Sequence, residues 1–107
     1  MTNDQLQAHL ISEGEIQRPT DYPYRPPCAR IYCADGFNLS VQASNTAYST
    51  PRDLKGPYTH VEIGFPSDAE QLLANWTEDN DNPTETVYPY TPIDVVLAII
   101  NKHGGVE

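Results

Sequence analysis

The sequence predicts an α+β domain, in which an antiparallel or mixed sheet of about four strands carries two C-terminal helices on one face. Apolar and polar residues alternate over residues 29–43 and 58–65, as in half-buried strands. Apolar residues instead recur at helical spacing over 68–76 and 91–103. The element order that follows, β-β-β-α-β-α behind an N-terminal helix and arm, is typical of such an α+β architecture.

The chain of 107 residues has the length of a single domain. We expect an N-terminal region over 1–28 and an α+β core over 29–107. The N-terminal region begins with a predicted short helix at 3–12 that places Leu6, Leu10 and Ile11 on one side. Residues 14–28 lack periodicity and predict an extended arm, because this segment contains Pro19, Pro23, Pro26 and Pro27.

A β-hairpin is predicted over residues 29–43, and its register follows from the turn. A three-residue loop at 34–36 pairs Ala29, Ile31 and Cys33 with Val41, Leu39 and Phe37. It places all six apolar side chains on one face, whereas a two-residue loop mixes the faces. Gly36 is then expected in the left-handed position of a bulge. The opposite face is polar and carries Arg30, Tyr32, Asn38, Ser40 and Gln42.

A third strand is predicted over residues 58–65, after the Gly56-Pro57 turn. One face of this strand would carry Thr59, Val61, Ile63 and Phe65. The other would carry Tyr58, His60, Glu62 and Gly64. A short fourth strand at 87–90 contains Pro89, which favours a position at the edge of the sheet because proline has no N–H to donate.

Two C-terminal helices complete the expected fold. For the helix at 68–76, Ser67 is the predicted N-cap and Glu70 completes a capping box. Its apolar face comprises Ala69, Leu72, Leu73 and Trp76. For the second helix, Thr91 is the predicted cap and Pro92 the first helical residue. Its buried stripe comprises Ile93, Val96, Leu97 and Ile100, and its end is marked by His103, Gly104 and Gly105.

The charge of the chain limits its expected partners. Fifteen acidic residues against six basic ones give a formal net charge of −9. This balance argues against nucleic-acid and anionic-membrane partners, which require a basic face. No apolar run approaches the roughly 20 residues of a membrane span, and the N-terminus does not resemble a signal peptide. We therefore expect a cytoplasmic protein that binds a small ligand or a basic protein surface.

Metal, cofactor and catalytic motifs are not evident. Cys28 and Cys33 are expected as thiols, because their spacing lacks the second ligand pair of a zinc site. The acidic loop at 77–86 offers oxygen ligands but not the glycine and distal glutamate of a calcium-binding EF-hand. His60 and Glu62 could form an acid–base pair, although a solvated strand face explains them more simply. We expect no cofactor, no metal and no enzymatic activity.

Residues 40–52 are the strongest candidate for function, since they combine a strand end with a polar loop. Hydroxyl, amide, aromatic and guanidinium groups on a supported loop are typical of a ligand site. Arg52 suits a phosphate, and Tyr48 or Tyr58 suits a nucleobase. The predicted ligand-binding residues are Gln42, Ser44, Tyr48, Thr50, Arg52 and Tyr58. The alternative is an ordinary loop whose hydroxyl groups form hydrogen bonds with its own backbone.

The chain resembles a group of small phage- or prophage-encoded proteins over about residues 29–105. The resemblance rests on SVQAS at 40–44, YSTPR at 48–52, GPYTHVEIGFPS at 56–67, VYPYTPIDVV at 87–96 and the terminal HGG at 103–105. It implies a non-enzymatic anti-defence protein that sequesters a nucleotide-derived host immune signal, such as a cyclic oligonucleotide or ADP-ribose derivative. The alternative is an acidic nucleic-acid mimic that inhibits a host defence nuclease or CRISPR complex. Either function fits a homo-oligomer in the host cytoplasm.

Overall fold

The computed structural model describes residues 1–12 and 28–107. The helices are α1, Asn3–Ser12; a 3₁₀ helix, Gln71–Trp76; and α2, Ile93–Lys102. The strands are β1, Ile31–Tyr32; β2, Asn38–Gln42; β3, His60–Gly64; and β4, Val87–Pro92. The α+β prediction and the N-terminal helix are confirmed, while the predicted arm up to residue 27 lies outside the described residues.

The four strands form one antiparallel sheet in the order β1-β2-β3-β4. Ile31 pairs with Leu39, and the Cys33 amide donates to the Phe37 carbonyl at 2.8 Å. Gly36 has a φ of 95°, a conformation that favours glycine. The predicted three-residue loop and its register are therefore confirmed at the turn. Ala29 lies outside β1 and is exposed, so the pairing ends before the predicted Ala29–Val41 step.

Strand β3 is shorter than predicted, and the alternation fails at both of its ends. Val61 and Ile63 are fully buried, as expected. Phe65 is instead 51% exposed, because the strand stops at Gly64 and Phe65 adopts a φ of 48°. Tyr58 is only 2% exposed. Its backbone N–H and C=O bond the side-chain amide of Gln7 in α1 at 2.8 and 2.7 Å, which fixes this residue before the strand begins.

The predicted α-helix over 68–76 is wrong in its type and its start. The segment forms a 3₁₀ helix that begins at Gln71, and Glu70 is its N-cap, accepting from the Leu72 amide at 2.9 Å. Ser67 is not available as a cap, because its hydroxyl accepts from the Asn38 amide at 2.9 Å. Of the predicted apolar face, Leu73 is buried and Leu72 is exposed.

Strand β4 occupies the predicted edge of the sheet and runs two residues further than expected. The extension displaces the start of α2. Pro92 is the N-cap, and Ile93 is the first helical residue. Thr91 is not the cap, because its buried hydroxyl donates to the Tyr88 carbonyl at 3.0 Å.

Helix α2 buries Ile93, Val96, Ile99 and Ile100, so Ile99 takes the place predicted for Leu97. Leu97 is only partly buried. The predicted end of the helix is confirmed: Gly104 and Gly105 have φ values of 91° and 88°, and the Gly105 amide donates to the Ile100 carbonyl at 2.9 Å.

One hydrophobic core joins all these elements. It contains Leu6 and Leu10 of α1, Leu73 of the 3₁₀ helix and the buried residues of α2, packed with the apolar residues of the sheet. Its sheet residues are Ile31, Leu39, Val41, Val61, Ile63 and Tyr88. The polar residues of β2, Asn38, Ser40 and Gln42, alternate with the buried ones and lie on the opposite face. The candidate ligand-binding segment, residues 40–52, begins on this polar face.

His103 fastens the end of α2 to two distant segments. Its Nδ1 lies 2.6 Å from Asp35 Oδ2 in the hairpin turn, and its Nε2 lies 2.7 Å from Glu70 Oε1. The imidazole stacks on Phe37 with ring centroids 4.0 Å apart. Lys102 Nζ approaches the other oxygen of Glu70 at 2.9 Å. Because both ring nitrogens face carboxylates, this arrangement favours the doubly protonated imidazolium.

The pKa values of the three groups follow from this geometry. Burial lowers the pKa of His103, but its bonds to Glu70 and Asp35 outweigh burial, so the pKa is raised. The Phe37 amide and then His103 lower the pKa of Asp35. Burial raises the pKa of Glu70, but bonds from the Leu72 amide, His103 and Lys102 outweigh it, and the pKa is lowered.

The stabilisation from this cluster is predicted to be greatest near pH 5–6, between the ordinary pKa values of about 4 for carboxyls and about 6.5 for histidine. The histidine contribution is complete below its unfolded pKa and is lost as the pH rises through its raised folded pKa. The carboxylate contributions are complete above their unfolded pKa values and are lost as the pH falls through their lowered ones.

We predict that His103→Gln lowers the free energy of unfolding by about 1–2 kcal/mol at pH 6, since it removes charged hydrogen bonds. The deficit should shrink as the pH rises above about 6.5, because the unfolded chain then loses the histidine proton while folded His103, whose pKa is raised, keeps it to higher pH. Urea denaturation between pH 5.5 and 9 measures this, and His60→Gln is the matched control. A deficit that is constant with pH would contradict the role assigned to the charged imidazole.

Candidate ligand-binding site

The loop of residues 44–52 is attached to both β3 and β4 through its backbone. The Tyr48 amide donates to Glu62 Oε1 at 3.0 Å, and the Tyr48 carbonyl accepts from the Tyr90 amide at 3.1 Å. Two residues later, the Thr50 amide donates to the His60 carbonyl at 3.0 Å. These bonds hold the loop against the sheet.

A β-bulge at the edge of the sheet presents Tyr90 to this loop. Val61 pairs with Thr91 and Ile63 pairs with Tyr88, so Pro89 and Tyr90 both lie opposite Glu62. Tyr90 has a φ of 53°, which is rare for a bulky side chain. Its amide is directed to Tyr48 rather than into the ladder. Bulges commonly redirect side chains near binding sites, and this one brings a second tyrosine beside Tyr48.

Tyr48, Arg52 and Tyr90 together form what we call the tyrosine–arginine surface. Tyr48 and Tyr90 are 41% and 42% exposed, and their ring centroids lie 6.0 Å apart at an interplanar angle of 44°. The Arg52 guanidinium carbon lies 5.5 Å from the centroid of the Tyr48 ring. Arg52 Nη2 also donates to the Thr46 carbonyl at 3.3 Å. Exposed aromatic faces next to a guanidinium can stack a planar ring and bind an anion together.

The base of the loop is held by its own hydroxyl groups. Ser44 Oγ accepts from the Thr46 and Ala47 amides, each at 3.1 Å. Ser49 is buried, and its hydroxyl lies 3.2 Å from the Ser44 carbonyl and 3.0 Å from the Pro51 carbonyl. These bonds correspond to the alternative considered from the sequence, in which the hydroxyls satisfy the loop itself. Ser44, only 8% exposed, supports the loop rather than facing a ligand.

The other three predicted ligand residues, Gln42, Tyr58 and Thr50, have hydrogen-bond partners elsewhere in the protein. The Gln42 carboxamide bonds the Cys28 amide and carbonyl at 2.7 and 2.9 Å. The Tyr58 ring is buried, and its hydroxyl donates to the Asp53 carbonyl at 2.7 Å, so it cannot stack on a ligand. Thr50 is exposed and joins the loop to β3 through its backbone. Of the six predicted residues, the structure therefore brings Tyr48 and Arg52 together.

Sequence reasoning did not identify Tyr90 or Glu62 as ligand-site residues. Tyr90 follows Pro89 in an edge strand, and that proline was the available signal that the ladder is interrupted there. Glu62 was considered with His60 as an acid–base pair. The two side chains instead have separate partners, since His60 Nδ1 lies 2.9 Å from the Thr59 hydroxyl and Glu62 accepts from Tyr48.

The cysteines and the acidic loop do not form a metal site within the described part of the chain. Cys28 and Cys33 are buried thiols. Burial, followed by the charge of Asp35, raises the pKa of the Cys33 thiol. In residues 1–12 and 28–107, no group of three His, Cys, Asp or Glu side chains could hold a metal ion. In the acidic loop, Asp79 accepts hydrogen bonds from the Asn82 side chain and from the Asp81 backbone amide. These bonds, the Asn82 one foremost, lower the pKa of the Asp79 carboxyl.

A groove lies between the 3₁₀ helix and α2. This groove of about 380 Å³ is lined by Leu72, Trp76, Val95 and Ala98, with Gln71, Asn75 and Asp94 at its polar positions. It is largely apolar, and its one charged lining residue is an aspartate, which disfavours an anionic ligand. The groove therefore does not compete with the tyrosine–arginine surface as a phosphate site.

Comparisons with known proteins add no assignment. No family model matches the chain, and neither curated proteins nor solved structures give a match. The resemblance to phage proteins thus stays a prediction. Within the described residues, no helix has both the length and the apolar character required to cross a membrane.

We predict that Glu62→Ala loosens the loop, because it removes the acceptor of the Tyr48 amide. Exchange of that amide with solvent should accelerate about tenfold, and the protein should lose about 1 kcal/mol of stability. Glu62→Gln is the matched control, since its carboxamide oxygen can still accept the bond. Amide exchange followed by NMR measures the effect. Equal Tyr48 exchange in wild type and Glu62→Ala would show that Glu62 does not hold the loop.

Proposed function

We propose that the protein binds a small nucleotide-derived ligand at the tyrosine–arginine surface and sequesters it without chemical change. The observation that supports this most is the placement of Arg52 5.5 Å from the exposed Tyr48 ring, with Tyr90 alongside. A nucleobase stacked on an aromatic side chain gains about 1–3 kcal/mol. A guanidinium beside the ring is suited to bond the phosphate of the same molecule.

The charge of the protein favours a small ligand over a polynucleotide. Arg52 supplies one positive charge to the surface, whereas the whole chain has a formal net charge of −9. A long polyanion would be repelled by the rest of the surface, and one guanidinium cannot offset that repulsion. A ligand with one or a few phosphodiester groups can be bound by one guanidinium and is repelled less strongly by the rest of the protein.

Sequestration agrees with the way in which the loop hydroxyls are used. Ser44 and Ser49 are buried hydroxyl residues of the loop. Their hydroxyl groups form hydrogen bonds with the loop backbone and are not paired with a general base. Together with the resemblance to phage proteins, this supports an anti-defence role, in which the bound molecule is a nucleotide-derived host immune signal. The proposal includes a homo-oligomer located in the host cytoplasm.

We predict that a cyclic di- or trinucleotide, or an ADP-ribose derivative, raises the melting temperature of the protein. Arg52→Ala should weaken binding of that ligand about tenfold to a hundredfold, because a charged hydrogen bond to phosphate is lost. Thermal shift identifies the ligand, and isothermal titration calorimetry measures the dissociation constant. Lys55→Ala is the control, since it removes an exposed positive charge three positions away from Arg52 in the sequence.

Two results would contradict the proposal. One is the lack of any shift across the panel, and the other is equal weakening by Arg52→Ala and Lys55→Ala, which would reflect net charge alone. A nucleic-acid mimic would behave differently: its affinity for a basic protein would fall with salt and with neutralisation of Asp79, Asp81 and Glu85. The triple neutralisation should leave nucleotide binding intact.

A further inference from the structure

Glu62 contributes a carboxylate next to the tyrosine–arginine surface. It stands opposite the two-residue bulge that contains Tyr90, and its Oε1 accepts from the Tyr48 amide at 3.0 Å. Arg52 lies over the ring of the same tyrosine. Tyr48 therefore has a carboxylate at its backbone and a guanidinium at its ring.

The carboxylate has more acceptor capacity than the loop uses. An ionised carboxylate offers about four lone-pair positions, and the Tyr48 amide occupies one of them. Glu62 is only partly buried, and none of the salt bridges among residues 1–12 and 28–107 involves it. A glutamine would hold the Tyr48 amide equally well. The carboxylate thus adds an acceptor-only group beside the backbone of Tyr48, whose side chain is exposed.

We propose that Glu62 makes the site selective for guanine, an inference that rests on the proposed nucleotide-binding function. Guanine presents two adjacent donors, N1–H and the N2 amino group, which can both be accepted by one carboxylate. Adenine presents an acceptor at N1 beside its amino group, so one carboxylate oxygen would face a lone pair. The base would stack on a tyrosine with its donor edge towards Glu62.

The same arrangement orients the ligand. Glu62 repels a phosphate and accepts from the donor edge of the base, while Arg52 attracts the phosphate and repels that edge. The two charges contact Tyr48 at different groups, its amide and its ring. The ligand class that follows is a guanine nucleotide of low charge, with a phosphodiester rather than a triphosphate.

The test compares 3′,5′-cyclic GMP with 3′,5′-cyclic AMP, which carry the same charge and differ in the base. We expect wild type to bind cyclic GMP about tenfold to a hundredfold more tightly, the range given by one two-bond contact to a base. Cyclic IMP, which lacks only the N2 amino group, should fall between them. In Glu62→Gln the ratio of the two dissociation constants should approach one, and in the control Glu85→Gln it should not change.

The outcomes separate this inference from the function on which it rests. Arg52-dependent binding without a preference for guanine in wild type would overturn the role of Glu62 and leave nucleotide binding standing. A preference that persists in Glu62→Gln would overturn it as well. Amide exchange of Tyr48 verifies that the loop remains attached in that variant. Failure of all three nucleotides and of the wider panel to bind would overturn both proposals.

Discussion

The candidate site depends on the attachment of Tyr48 through both of its backbone groups. Its amide is held by Glu62 and its carbonyl accepts from Tyr90, so one residue joins the loop to two neighbouring strands. These two bonds help to fix the separation of the two tyrosine rings and the position of the Tyr48 ring under Arg52. A preorganised surface loses less conformational entropy on binding than a mobile loop does, which is why these bonds matter for affinity. The attachment thus links the sheet register to the ligand chemistry that we propose.

That attachment relies in turn on the single buried face of the sheet. Val61 and Ile63 point into the core, and this fixes Glu62 between them on the opposite face. A shift of one residue in the β3 register would bury Glu62 and expose both apolar neighbours. The core is closed on its other side by α1 and α2, and His103 fixes the end of α2 to the hairpin turn and to Glu70. The ion-pair cluster therefore acts in stability, separately from the binding role that we propose for the tyrosine–arginine surface.

Local patterns predicted the fold well, and long-range contacts explain where prediction failed. The hairpin register followed from the alternation around Gly36, and the stripe beginning at Ile93 identified α2. The 3₁₀ helix was mistaken for an α-helix because Glu70 binds His103 and Lys102, which lie more than thirty positions away in the sequence. Within the site, composition pointed to Tyr48 and Arg52 but could not show that Ser44 bonds its own loop or that Tyr58 is buried. Tyr90 became visible only through the bulge, since a bulge is defined by the pairing of two strands.

The most direct test of the central claim is a residue-by-residue map of ligand contact on the wild-type protein. A ¹H–¹⁵N NMR titration with cyclic GMP provides it, because amide shifts report the binding surface in solution. We expect the largest shifts at Tyr48, Arg52, Glu62 and Tyr90, with little change in the acidic loop at 77–86 or in the groove that contains Trp76. Shifts centred on either of those two regions, or no shifts at millimolar ligand, would contradict the assignment of the tyrosine–arginine surface as the binding site.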